Sequence, residues 1–183
     1  MANIPPHAKR VFQGVIFDVY QWEQEMFDGS TATFERLKRP DTVVVLPVAG
    51  DTIYYSRQEQ PDKPLFLGLF GGRSDPGEEP LTAAKRELLE ETGLVSDTWI
   101  PWKSFQPATK IDWTVYYFIA KDCRKVAEQE LDGGERIEIC QTSLDDFMQT
   151  VLPHQDFREG ELQQQLLSSP NPNAIQQLKA LLQ

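Results

Sequence analysis

The residues most able to do chemistry lie in one stretch, Gly71 to Leu94, which reads GGRSDPGEEPLTAAKRELLEETGL. Counting from Gly72, five residues precede Glu78 and seven more precede Arg86-Glu87-Leu88. One residue then leads to Glu90-Glu91, and one more to Gly93-Leu94. Three carboxylates at positions 87, 90 and 91 fall three and four residues apart, so on a helix they share neighbouring faces. Like charges so placed cost a helix roughly 0.2–0.5 kcal/mol per pair. A single guanidinium, Arg86, does not neutralise three of them. A hard divalent cation does more, because Mg²⁺ takes oxygen ligands and is typically shared between carboxylates and substrate phosphates. Gly71 and Gly72 have no Cβ, so their carbonyls can approach such an ion.

The elements that position these groups are legible nearby. Pro80 suits the first turn of a helix, Glu78 and Glu79 suit its positive end, and Gly93 suits a C-terminal stop. The spacing predicts a helix from Pro80 to Thr92, with Leu81, Ala84 and Leu88 facing the core. An isolated acidic segment is usually a solvated face. Chance agreement over the whole spacing is on the order of one in ten million, so that reading is set aside here.

The stretch resembles the Nudix box, Gly-x5-Glu-x7-Arg-Glu-apolar-x-Glu-Glu-x-Gly-apolar, and matches it at every defined position. The resemblance implies a hydrolase that cleaves nucleoside diphosphates linked to another group, using Mg²⁺ (or Mn²⁺). It implies Glu87, Glu90 and Glu91 as metal ligands, with the carbonyl of Gly71 or Gly72 completing the shell. Glu78 is implied to pair with Arg86 and hold helix to loop. The family base often lies on a later loop. Here that loop reads Glu130-Leu131-Asp132-Gly133-Gly134-Glu135-Arg136-Ile137-Glu138. Glu135, after the glycine pair, is the candidate base or remote ligand, with Asp132 and Glu138 in reserve. Glu90 and Arg86 complete the candidate catalytic set.

The layout outside the box resembles the ADP-ribose and ADP-sugar pyrophosphatases, over roughly residues 11 to 160. That likeness implies dimerisation through the N-terminal strands and an aromatic ring from them stacked on adenine. Trp22 is the candidate ring, backed by Tyr20 and Phe34. The subfamily pattern Gln-x-Arg reads Gln58-Glu59-Gln60 here. Arg57 is the substitute guanidinium, and Arg73, just past the glycines, is a further substrate contact. Also missing are the Glu and Pro common before the glycines, where this chain has Gly68 and Phe70. Two alternatives stay open: a nucleoside triphosphate pyrophosphatase of the house-cleaning type, and a non-catalytic Nudix-type nucleotide-binding module.

Composition sets outer bounds. The 183 residues and 20.9 kDa fit a single domain over 1–183. Within it, 1–40 are N-terminal strands, 41–142 the catalytic core and 143–183 terminal helices. A net charge of −10 argues against a nucleic acid polymer as partner and leaves a small nucleotide-derived substrate open. Cys123 and Cys140 lack metal-site spacing, and the N-terminus shows no apolar leader, which points to reduced thiols in the cytoplasm. No apolar run is long enough for a membrane span. Strands are predicted within 11–27 and over 31–38, 42–48, 52–57, 99–105, 113–120 and 136–141, with Asp28-Gly29 as a hairpin turn and 58–63 as a loop. Ser143 is expected to cap a helix carrying Leu144, Phe147, Met148 and Val151. Leu162, Leu166 and Leu167 suggest another, and Asn173 opens a last one with Ile175, Leu178 and Leu182 inward. The fold class is therefore α/β: a Nudix-type α/β/α sandwich around a mixed sheet, with an N-terminal hairpin and C-terminal helices.

Overall fold

A computed structural model describes residues 4–167 and 173–182. Twelve strands among them run β1 (Lys9–Gln13), β2 (Asp18–Glu25), β3 (Thr31–Lys38), β4 (Thr42–Ala49), β5 (Thr52–Gln60), β6 (Lys63–Gly68), β7 (Leu94–Val95), β8 (Thr98–Phe105), β9 (Ile111–Asp112), β10 (Val115–Lys121), β11 (Arg124–Lys125) and β12 (Arg136–Ser143). Helix α1 (Pro80–Thr92) lies between β6 and β7. A short α2 (Leu144–Asp146) runs into a π turn at Phe147–Val151, followed by α3 (Gly160–Leu167) and α4 (Asn173–Leu182).

Strand β4 is the axis of the core. Its residues Val43 to Val48 are buried. Alternation sends Val43 and Val45 to one face and Val44, Leu46 and Val48 to the other. On the first face they meet Ala83, Ala84 and Leu88 of α1, with Phe118 and Ala120 of β10. On the second they meet Phe147, Met148, Val151, Leu162, Leu166 and Leu178 from the C-terminal helices. Helices on both faces of a mixed sheet make the α/β/α arrangement that the apolar run of β4 requires. The main sheet has the order β12-β5-β4-β10-β8, with β6 paired to β5. Its β4–β10 pair is parallel and its β8–β10 and β5–β12 pairs are antiparallel.

A second sheet has the order β1-β2-β3-β9. The Asp28-Gly29 hairpin is present, with β2 and β3 in register from Asp18↔Lys38 to Glu25↔Thr31. The strand character expected within 11–27 is in fact two strands. Residues 14–17 break it, with the Gly14 N–H donating to the Phe17 carbonyl at 3.0 Å. Ile111–Asp112 ties this sheet to the core by pairing with Leu37 and Lys38.

The polar loop expected at 58–63 is not there. Strand β5 runs on to Gln60, and β6 returns from Lys63 after a tight turn. Gln58 is buried because its side-chain amide donates to Ser56 Oγ at 2.8 Å, so a polar residue sits inside a strand without an unmet hydrogen bond. The cap at Ser143 is observed: its Oγ accepts from the Asp146 N–H at 3.1 Å. The helix it starts becomes the π turn after Asp146. Leu178 is buried and Leu182 half-buried as expected, while the side chains of Asn173 and Ile175 lie outside the described residues. No helix among the described residues is long and apolar enough to cross a membrane.

Candidate active site

Helix α1 has the expected bounds, Pro80 to Thr92. Glu79 caps its start without a side-chain bond, and Gly93 ends it in the left-handed region at φ 70°. The loop before it, Phe70 to Arg73, runs along the open edge of β4. Val45 N–H donates to the Phe70 carbonyl at 2.7 Å and Val43 N–H to the Gly72 carbonyl at 2.9 Å. The pairing is so close that a Cβ on Gly71 would lie 2.1 Å from the Val43 carbonyl oxygen, at φ 139°. A Cβ on Gly72 would lie 2.5 Å from Glu87 Oε1. The glycine pair therefore lets the loop lie on β4 at one residue and receive the Glu87 carboxylate at the next.

The carboxylates divide by partner. Arg86 grips Glu78 through two hydrogen bonds, Nε to Oε1 at 3.1 Å and Nη2 to Oε2 at 3.0 Å. Its Nη2 also donates to the Arg73 carbonyl at 3.1 Å. The guanidinium holds Glu78 below the usual carboxylate range, aided by the Asp75 N–H. Arg86 thus joins helix to loop as the box resemblance implied. It does more than expected: Nη1 also reaches Glu87 Oε1 at 2.9 Å and Glu90 Oε2 at 3.0 Å. Among the described residues, no three carboxylate, imidazole or thiol groups stand as a ready metal-ligand set.

Glu91 is the exception to this pairing. It is 5% exposed, and its Oε2 accepts the Gly71 N–H at 2.6 Å. No arginine or lysine makes an ion pair with it among the described residues. Burial pushes its carboxyl well above the ordinary range, against the Gly71 hydrogen bond; the Glu87 and Glu135 charges add to the rise and the Arg158 charge opposes it. Glu87 is also pushed up, first by burial, with Glu90 and Glu135 contributing and Arg86 opposing. A buried carboxylate with no direct ion pair is costly, and the distant Arg158 offsets three neighbouring acids only in part, so the site has an unmet demand for positive charge. A divalent cation fits that demand. Glu90, with its side chain 42% exposed, has the freedom to leave Arg86 and turn to it.

The loop carrying Glu135 is fastened to the end of α1. The Glu130 N–H donates to the Glu90 carbonyl at 2.8 Å, and Gln129 Nε2 bridges the Glu91 and Ile137 carbonyls at 2.7 and 3.0 Å. These bonds satisfy helix-end carbonyls that have no partner inside the helix. They bring Glu135 within electrostatic reach of Glu87 and Glu91. Its carboxyl is raised, mainly by burial and by Asp132. Of the reserves, Asp132 accepts the Glu135 N–H, whereas Glu138 faces away and pairs with Arg57 at 3.5 Å.

The expected substrate contacts separate. Arg73 lines a cleft of about 190 Å³ beside the glycines. Arg57 is exposed on β5 and paired with Glu138, away from that cleft's lining. Trp22 packs on Phe34, ring centres 6.0 Å apart, and donates from its indole to Gln24. Within one chain it lines neither that cleft nor a second, neighbouring cavity. The larger of these, about 680 Å³, is walled by Val15, Ile16 and Tyr20 of the N-terminal segment and by the 74–78 loop. Sequence reasoning missed Gln129, Arg39, Arg158 and Glu159. Gln129 works through a single side-chain amide and leaves no pattern. The other three are assembled from distant segments. Both cysteines are free, and burial pushes the Cys123 thiol up to about 11, which suits an inert core thiol.

A NUDIX domain family model matches residues 38–163. The chain belongs to the NUDIX family. It is a Nudix hydrolase, with the box of that family built around α1. It is 29% identical over 147 residues to an ADP-ribose pyrophosphatase of Bacillus subtilis (strain 168), covering 78% of this chain and 80% of that protein. It is 23% identical over 149 residues to a methanol dehydrogenase activator of Bacillus methanolicus, covering 79% and 80%. A crystal structure of an ADP compounds hydrolase superposes with a TM-score of 0.71 at 24% identity, over 96% of this chain and 91% of that one. The last likeness shows the same fold.

Three predictions rest on the geometry of the loop and on the buried Glu159. Gly71→Ala places a Cβ against backbone and should cost about 1–3 kcal/mol in urea unfolding. Gly72→Ala meets only the movable end of Glu87 and should keep its stability while losing hydrolysis at least tenfold. Glu159, 7% exposed, accepts the Leu69 N–H at 3.1 Å, and burial pushes its carboxyl to about 7. A raised carboxyl favours the folded state while protonated, so its contribution is present below 4.5 and lost as pH rises towards 7. Glu159→Gln keeps an oxygen for Leu69. Its melting temperature should match wild type at the acid end of that window and exceed it at the neutral end.

Proposed function

We propose that this Nudix hydrolase cleaves the pyrophosphate linkage of an ADP-ribose or ADP-sugar type compound, giving AMP and a sugar phosphate. The observation that carries the reading is the buried Glu91 carboxylate, with no ion pair of its own among the described residues, held to the glycine loop and in electrostatic reach of Glu87 and Glu135. The names of its relatives, an ADP-ribose pyrophosphatase and an ADP compounds hydrolase, support the substrate class.

The ligand set proposed for Mg²⁺ (or Mn²⁺) is Glu87, Glu90, Glu91 and the Gly71 carbonyl. The Gly72 carbonyl is the weaker choice, because it already accepts the Val43 N–H. Such an ion supplies charge neutralisation at the phosphates and acidifies water. The chain supplies the rest. Glu135 takes the proton of the attacking water, its raised carboxyl bringing it nearer the working pH of a base. Arg86 keeps Glu87 turned to the glycines and Glu78 locked to the loop. The 680 Å³ cavity, with Tyr20 and Tyr116 in its lining, is the place for the nucleoside.

We further propose that residues 1–183 work as one unit and that two copies pair through the N-terminal strands. Val11, Phe12 and Val15 are 53%, 59% and 98% exposed, and β1 is an edge strand. Apolar side chains on an unpaired edge invite a second copy. Pairing offers Trp22 a route to a substrate held by the other copy.

Three measurements check these readings. Phosphorus NMR of products from a screen of nucleoside diphosphate sugars should show AMP and a sugar phosphate. A nucleoside monophosphate with free pyrophosphate, from triphosphates alone, would favour the house-cleaning alternative. Glu91→Gln should lose at least a thousandfold in kcat with its melting temperature retained, and unchanged turnover would remove Glu91 from the site. Light scattering should return twice the chain mass, reverting to one chain in a Val11→Lys/Phe12→Lys double variant. A monomer in the wild type would refute the pairing.

A further inference from the structure

Three arginines gather beside the glycine loop with no carboxylate in direct contact with their guanidiniums among the described residues. Arg39, Arg73 and Arg158 all line the 190 Å³ cleft, and none makes an ion pair among the described residues. Arg158 feels the charges of Glu91, Glu135 and Glu159 at a distance, but three guanidiniums crowded together with no direct ion pair repel one another, and an anion between them relieves that repulsion.

Each arginine is aimed by its own device. Arg39 stacks its guanidinium 4.3 Å from the centre of the Trp113 ring, and its Nη2 reaches Thr42 Oγ1 at 3.5 Å. Trp113 is itself braced by its indole N–H on the same Thr42 oxygen at 3.0 Å. Arg39 Nε is buried with no hydrogen-bond partner. Arg73 is set by the Thr42↔Arg73 bridge and by its carbonyl on Arg86. Arg158 is pinned by its N–H on the Leu67 carbonyl at 2.8 Å, with its guanidinium 5.4 Å from the Phe66 ring centre. Burial, then the charges of Arg73 and Arg158, make Arg39 easier to deprotonate than usual, which is the mark of crowded positive charge. Two carboxylates share the wall, Glu159 and Glu161, and Glu159 is turned to the Leu69 N–H.

We propose that Arg39, Arg73 and Arg158 form a phosphate anchor that holds the nucleoside-bearing phosphoryl group of the substrate beside the glycine loop. The cleft is smaller than the roughly 300–1,000 Å³ of sites that enclose a whole small molecule, so it suits a phosphoryl group rather than a nucleoside. Arg39 also lines the 680 Å³ cavity, so a nucleoside there would place its 5′-phosphate at the anchor. Guanidiniums bind phosphate through paired N–H donors, a geometry lysine lacks. The anchor takes over the role expected of Arg57. Its assignment to the nucleoside side rests on the hydrolase reading above, whereas anion binding by itself does not.

Calorimetry in EDTA with AMP, adenosine and inorganic pyrophosphate tests it without turnover. Wild type should bind AMP at least tenfold more tightly than adenosine, and should bind pyrophosphate. Arg158→Gln and Arg73→Gln, both exposed positions, should each weaken AMP and pyrophosphate at least tenfold and leave adenosine unchanged. Arg39→Gln should do the same, and Arg39→Lys should recover only part. Arg124→Gln, paired with Asp97 away from the cleft, should behave as wild type. Equal AMP affinity in wild type and all three glutamine variants would overturn the anchor, as would wild type binding neither anion. Arginine-dependent anion binding together with no cleavage of any nucleoside diphosphate sugar would leave the anchor standing and remove the hydrolytic reading.

Discussion

The hydrogen bond from the Gly71 N–H to the buried Glu91 carboxylate is the contact on which the rest of the site depends. It fixes the glycine loop to the last turn of α1 and places a carboxylate where water scarcely reaches. A charge in that position is unfavourable unless something positive joins it. Arg86 serves Glu78, Glu87 and Glu90 instead. Three carboxylates thus share one guanidinium, and a fourth, Glu91, is buried with no ion pair of its own among the described residues. That imbalance separates a site waiting for a cation from a salt-bridged helix surface.

The scaffold serves this contact through β4. Its apolar side chains fill both faces of the sheet, which holds α1 on one side and the C-terminal helices on the other. Its early backbone edge is left to the glycine loop rather than to another strand. Loop, helix end and the 126–135 segment are then joined by backbone bonds, including Val126 N–H to the Gly93 carbonyl at 2.8 Å. The functional groups stand on a rigid strand and helix, and the loops inherit their precision from them.

Much of this was written in the sequence. The box fixed helix bounds and the Glu78–Arg86 pair, because each depends on local spacing along one continuous stretch. The apolar run of β4 announced burial on both faces. What local pattern could not carry was assembly at a distance. Arg39, Arg73 and Arg158 lie more than eighty residues apart at the extremes and meet only through the sheet order. Arg57 looked like a phosphate contact by position, yet strand alternation turns it to Glu138. Gln58 looked like a loop residue by polarity, yet a single hydrogen bond to Ser56 lets it lie in a strand.

The central claim is that Glu91 and its neighbours share a site in want of a cation. Mg²⁺ titration by calorimetry below neutral pH, in two buffers of different ionisation enthalpy, tests it most directly. Binding with release of protons is the expected result, since cation and proton compete for carboxyls that burial has raised. The release should shrink in Glu91→Gln. Binding that frees no protons and is indifferent to that substitution would contradict the claim.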